Sequence, residues 1–149
     1  MTIFEGSAVA LVLPMFDNGD IDFEGFKKQV QRMIDGGVQA LLVNGTTGET
    51  ATITIEDEFK LLDLTLELAK GTGVKVICGA GSNDTQTALK KARYAKEKGA
   101  HIVSLTDSPF APVASFTDNL LLVKSNMVSF VDSLVPALSI ANALIVSVG

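Results

Sequence analysis

Gly45-Thr46-Thr47-Gly48-Glu49 stands between an apolar run, Val38 to Val43, and a helix start at Thr54. The run has the length and aliphatic content of a buried parallel strand. The two glycines let the backbone turn sharply as it leaves that strand. Two adjacent hydroxyls are therefore expected at the carboxyl end of a strand, where α/β proteins bind ligands. Hydroxyl and backbone N–H groups donate to anionic oxygens, so a small carboxylate is the chemistry that fits. Without context, the same five residues also read as a plain strand–helix loop with two solvated threonines.

The flanking chain repeats this strand–helix pattern. Ser7 to Leu13, ended by Pro14, reads as a first strand, and Asp17-Asn18-Gly19-Asp20 as a turn. Asp22 caps a helix over Phe23 to about Asp35, with Phe23, Phe26, Val30, Met33 and Ile34 on one face, stopped by Gly36-Gly37. Beyond the Gly-Thr-Thr-Gly-Glu loop, Thr54 and Asp57 form an acidic variant of a capping box. The helix behind them presents Phe59, Leu62, Leu66 and Ala69, and runs to about Lys70. Val74 to Cys78 is a third strand, and Gly79-Ala80-Gly81 a second Gly-rich turn. Asn83 or Asp84 caps a third helix with a small inner face of Ala88, Ala92 and Ala95, running to Lys98 before Gly99. His101 to Leu105 is a fourth strand. A mediocre helix is expected over Phe116 to about Phe130, since Asn119, Ser125, Asn126 and Ser129 are poor helix formers. Leu138 to Val148 is a fifth strand, whose likeness to the second is too slight to argue a repeat.

Successive strand–helix units of about 30 residues give parallel strands joined by right-handed crossovers. Eight such units close a (β/α)8 barrel in roughly 250 residues. A chain of 149 residues holds about four units and a fifth strand, so the expectation is a single half-barrel domain over residues 1–149. A doubly wound sheet of the flavodoxin type is the competing architecture.

Composition excludes several classes. Hydrophobic residues make up 47%, enough for a folded core. A net charge of −5, with scattered cations, argues against a nucleic-acid surface. The single cysteine, Cys78, allows no disulfide framework and points to a reducing, cytoplasmic compartment. The start carries Glu5 and lacks a basic segment, so no signal peptide is expected. Ala137 to Val148 is too short and too polar for a membrane span. With one histidine, His101, neither a metal site nor a cofactor is expected.

Gly6 to Pro14 (GSAVALVLP), Gly45 to Glu49 with Ala51-Thr52, Val76 to Asn83 (VICGAGSN) and Tyr94 to Ala100 occur in this order at these spacings. Together they resemble the amino-terminal half of dihydrodipicolinate synthase and its relatives, the pyruvate-dependent class I aldolases that include N-acetylneuraminate lyase. The threonine pair and the Gly-Ser-Asn run favour the synthase branch. The resemblance covers roughly residues 3–106 and implies a (β/α)8 barrel. It also implies a lyase that condenses pyruvate with aspartate semialdehyde for lysine biosynthesis, through a lysine Schiff base. In that family one threonine hydroxyl relays a proton with a tyrosine and the other binds the pyruvate carboxylate. Carried over, Thr46 is a relay remnant, and Thr47 with Gly45 and Gly48 is the substrate-binding set.

The departures matter as much. The family's Thr-Pro-Tyr-Tyr-Asn-Lys-Pro loop stands here as Thr106-Asp107-Ser108-Pro109-Phe110-Ala111-Pro112, without tyrosine. The one tyrosine, Tyr94, falls on a helix. A Schiff-base lysine must be desolvated or set near another cation, at the carboxyl end of a strand. None of Lys27, Lys28, Lys60, Lys70, Lys75, Lys90, Lys91, Lys96, Lys98 and Lys124 is expected there, and Lys75 enters its strand from the opposite end. The chain by itself is therefore expected to lack turnover. The alternatives are another pyruvate aldolase or a non-catalytic carboxylate-binding or assembly module. Unpaired first and last strands would be closed by a second copy, so a homo-oligomer, most simply a dimer, is expected.

Overall fold

The computed structural model describes residues 5–123, which fall into two compact units divided after Gly81. The first unit alternates strand and helix: β1 (Ala8–Ala10), α1 (Phe23–Asp35), β2 (Ala40–Val43), α2 (Ile55–Ala69) and β3 (Lys75–Cys78). Its sheet is parallel in the order β1-β2-β3, with Ala8 opposite Ala40, and Ala40 opposite Lys75. A flavodoxin-type sheet would place its first strand between the next two. Strands laid down in chain order are what a barrel requires.

Local chemistry explains the helices. Asp22 accepts the Gly25 N–H at 2.8 Å and starts α1. Phe26 and Val30 are buried, while Phe23, Met33 and Ile34 on the same face are half-buried. Thr54 accepts the Asp57 N–H at 3.1 Å and donates its hydroxyl to the Asp57 carboxylate at 2.6 Å. The acidic capping box thus closes on the threonine hydroxyl. The inward stripe of α2 differs from the sequence expectation. It is Glu58, Leu61, Leu62, Thr65 and Ala69, with Phe59 and Leu66 half-buried beside it. Thr65 tolerates burial because its hydroxyl donates to the Leu61 carbonyl at 2.7 Å, four residues back.

The second unit holds α3 (Thr85–Glu97), β4 (Val103–Thr106) and β5 (Asn119–Leu122). Asp84 is the cap of α3. The Thr87 hydroxyl and N–H both donate to its carboxylate and hold it below the usual carboxylate range. Leu89, Ala92 and Ala95 are the buried face of α3, so Ala92 and Ala95 hold and Leu89 replaces Ala88.

The expected helix from Phe116 is corrected over its described part, because Asn119–Leu122 is a strand parallel to β4. The Asp118 and Asn119 N–H groups both donate to the Ile102 carbonyl, and Val123 donates to that of Thr106 at 2.9 Å. Pairing three consecutive leucines with β4 outweighs a helix propensity already weakened by Asn119. Residues 107–118, including a one-turn 3-10 helix at Pro112–Ser115, supply the dozen-residue connection that parallel strands need. The remainder of that expected helix, Lys124 and the expected strand Leu138 to Val148 lie outside the described residues. Among the described residues, no helix is long and apolar enough to cross a membrane.

Candidate functional site

β2 delivers the loop. Its last residue, Val43, is buried, and the chain then turns at Asn44 with φ 57°, a left-handed conformation that asparagine tolerates better than most residues. The Asn44 side chain anchors the turn. Its Nδ2 donates to the Glu58 carbonyl in α2 at 2.9 Å and lies 3.7 Å from the Cys78 sulfur at the end of β3. Asn44 is absent from the sequence-based candidates. The signal available was its place before Gly45 at a strand end.

Thr46–Gly48 form a single 3-10 turn. The Gly48 N–H donates to the Gly45 carbonyl at 3.0 Å and the Glu49 N–H to the Thr46 carbonyl at 3.1 Å, so both are engaged within the loop. Glu49 is left-handed at φ 53°, and its carbonyl accepts the Thr52 N–H and hydroxyl, both at 2.9 Å. The backbone of Glu49, rather than its carboxylate, thereby ties down the loop's far end.

Thr46 and Thr47 are exposed, and Gly48 between them and Glu49 is buried. A methyl group on Gly48 would lie 3.3 Å from the Leu11 carbonyl oxygen, so the loop rests directly on the exit of β1. The arrangement is two hydroxyl donors on a short, internally hydrogen-bonded turn at the carboxyl ends of parallel strands. That suits a small anion.

The other candidate residues are placed elsewhere. Lys75 opens β3 at its amino end, opposite Ala40. Lys27, Lys28, Lys60, Lys90, Lys91 and Lys96 lie on helices, and Lys70 and Lys98 at helix ends. Tyr94 is half-buried on α3 with the Lys98 ammonium 4.8 Å from its ring centroid. His101 is exposed two residues before β4, its Nε2 2.6 Å from the Asn119 side-chain oxygen.

The sequence profile of the Dihydrodipicolinate synthetase family matches residues 3–118. The chain belongs to this family. A 4-hydroxy-tetrahydrodipicolinate synthase from Campylobacter jejuni subsp. doylei is 43% identical over 98 residues, covering 66% of this chain and 33% of that protein. Among solved structures, dihydrodipicolinate synthase from Aquifex aeolicus superimposes with a TM-score of 0.67 at 30% identity, over 93% of this chain and 52% of that one. A structure described as the first monomeric dihydrodipicolinate synthase variant matches with a TM-score of 0.60 at 38% identity, over 69% and 34%. The chain thus spans about half the length of its solved neighbour from Aquifex. Its fold is accordingly part of the family's (β/α)8 barrel, and the residues matched by the family profile include the Gly45–Glu49 loop.

Proposed function

We propose that this chain carries the carboxylate-binding part of a 4-hydroxy-tetrahydrodipicolinate synthase-type site. The parent reaction is the condensation of pyruvate with aspartate semialdehyde in lysine biosynthesis, through a lysine Schiff base. Thr47 receives the pyruvate carboxylate, with Gly45 and Gly48 shaping the turn that presents it, and Thr46 is the remnant of a proton relay. The observation that carries this reading is the exposed threonine pair on a clamped turn at the carboxyl end of β2, inside a family match that spans it.

Two further elements belong to the same proposal. No imine is expected on the lysines among the described residues, none of which lies at the carboxyl end of a strand, while Lys124, two residues past β5 in sequence, lies outside them. It works in the cytoplasm as a homo-oligomer, most simply a dimer, within a single (β/α)-type domain.

Treatment with pyruvate and borohydride followed by intact-mass measurement tests the chemistry. No adduct is expected, and a stable adduct on any lysine overturns the inactive reading. Titration with pyruvate followed by amide NMR tests the site. Millimolar affinity, about 4 kcal/mol, is expected with shifts at Gly45 to Glu49. Shifts confined to the amino ends of β2 and β3 count against it.

A further inference from the structure

The geometry points to Gln29 of α1 as a positioning residue for the Thr46–Thr47 loop. The inference rests on the carboxylate-binding reading of that loop and adds a residue that does not touch the ligand.

β1 shows which way each of its peptide groups faces. The Ser7 carbonyl accepts the Ala40 N–H at 3.1 Å, and the Leu11 N–H donates to the Leu42 carbonyl at 2.9 Å. Residues 7 and 11 therefore address β2. Alternate residues of a parallel strand address opposite neighbours, so Ala8, Ala10 and Val12 face the outer edge. With its amide oriented to satisfy both neighbours, Gln29 donates to the Val12 carbonyl at 3.0 Å and accepts the Val12 N–H at 3.2 Å. One side-chain amide replaces a neighbouring strand at that single position.

The Val12 N–H and the Leu11 carbonyl belong to one planar peptide unit, which turns as a rigid plate. Gln29 holds one edge of the plate, and Gly48 rests on the other, where an added methyl would be 3.3 Å from the Leu11 oxygen. Gln29 thus sets the tilt of the surface that supports Thr46 and Thr47, without reaching either residue.

The test uses the full 149-residue chain as Gln29→Met, which keeps the side-chain length and removes both hydrogen bonds. Losing one such bond should raise amide exchange at Val12 about fivefold. Amide signals of Thr46, Thr47 and Gly48 should move without ligand, and pyruvate should bind about fivefold more weakly. Far-ultraviolet circular dichroism should remain unchanged. Gln29→Glu, read at about pH 3 where its carboxyl is protonated and compared with the unsubstituted chain at the same pH, keeps an acceptor for the Val12 N–H and an O–H donor for its carbonyl, so Gly48 should stay near its native position. Unmoved Gly48 signals in the Met variant overturn the inference, as does an equal response to both variants. If the Met variant does not fold, native-like Gly48 signals in the Glu variant support the inference and displaced ones overturn it. If the unsubstituted chain shows no pyruvate shifts, the carboxylate reading fails, while the ligand-free response of Gly48 still decides the role of Gln29.

Discussion

The side-chain amide of Asn44 donates to the backbone carbonyl of Glu58 at 2.9 Å, joining the exit of β2 to the first turns of α2. Everything between them, including the threonine turn, is a loop clamped at its base. Asn44→Gly keeps the left-handed backbone and loses the tether, for a cost of about 1 kcal/mol. Asn44→Ala loses the tether and strains the backbone, for about 2–3 kcal/mol. Asn44→Asp sets a carboxylate against a carbonyl oxygen and should be the least stable of the three. Urea denaturation of the three variants checks the order.

Gly79 follows β3, and its N–H donates to the Val43 carbonyl at 3.0 Å. A methyl there would collide with the Asn44 backbone carbonyl, which the left-handed turn fixes in place. Gly79→Ala should therefore destabilise the first unit by about 1–3 kcal/mol. Gly81→Ala meets nothing within 4 Å and serves as the control, with little change expected. Thermal unfolding of both distinguishes a steric effect from a general intolerance of that turn.

Asp118 secures the amino ends of β4 and β5. Both its oxygens accept the Lys96 ammonium at 2.6 Å, and one accepts the Ile102 N–H at 2.7 Å. The Lys96 hydrogen bond, and after it the Ile102 N–H, hold its carboxyl below the usual carboxylate range. A carboxyl depressed on folding adds stability above its unfolded pKa, near 3.9, and that stability disappears as pH falls through the lower folded value. Asp118→Asn should weaken the second unit at pH 7, with the deficit shrinking as pH falls below about 4. Amide exchange at Ile102 and Ser104 against pH reports this locally.

Association can be probed at the outer edge of β1. Sedimentation at micromolar concentration should show a species larger than the monomer. Proline is tolerated where a strand N–H faces outward. Ala10→Pro should therefore leave the fold intact and shift the population to monomer if β1 carries the contact. A cooperative, well-folded monomer for the unsubstituted chain would defeat the assembly proposal.

Elements specified by local chemistry were legible from sequence. Phe23–Asp35 is bounded as expected because Asp22 caps it and Gly36-Gly37 ends it, Thr54 caps as expected, and of the two candidates Asn83 and Asp84 it is Asp84 that caps α3. The helix expected from Phe116 failed because β5 depends on a partner strand, which local propensity does not contain. The inward stripe of α2 was misjudged where Thr65 hides its hydroxyl on its own helix and so passes as a core residue. The threonine turn stood out through its glycines. Its supports, Asn44 and Gln29, did not, because each acts through the backbone of a residue distant in sequence.

In the first unit β2 pairs with β1 and β3 with β2, each with the strand laid down just before it. A chain emerging from the ribosome grows by about 5–20 residues per second, and its amino-terminal parts fold first. On that schedule β2 finds β1 already exposed, and β3 finds β2, with one helix made in each interval. Neither β2 nor β3 has to wait for a later strand to find a first partner, and the threonine turn is closed once Glu58 is available to Asn44. The order of synthesis and the order of the sheet are the same.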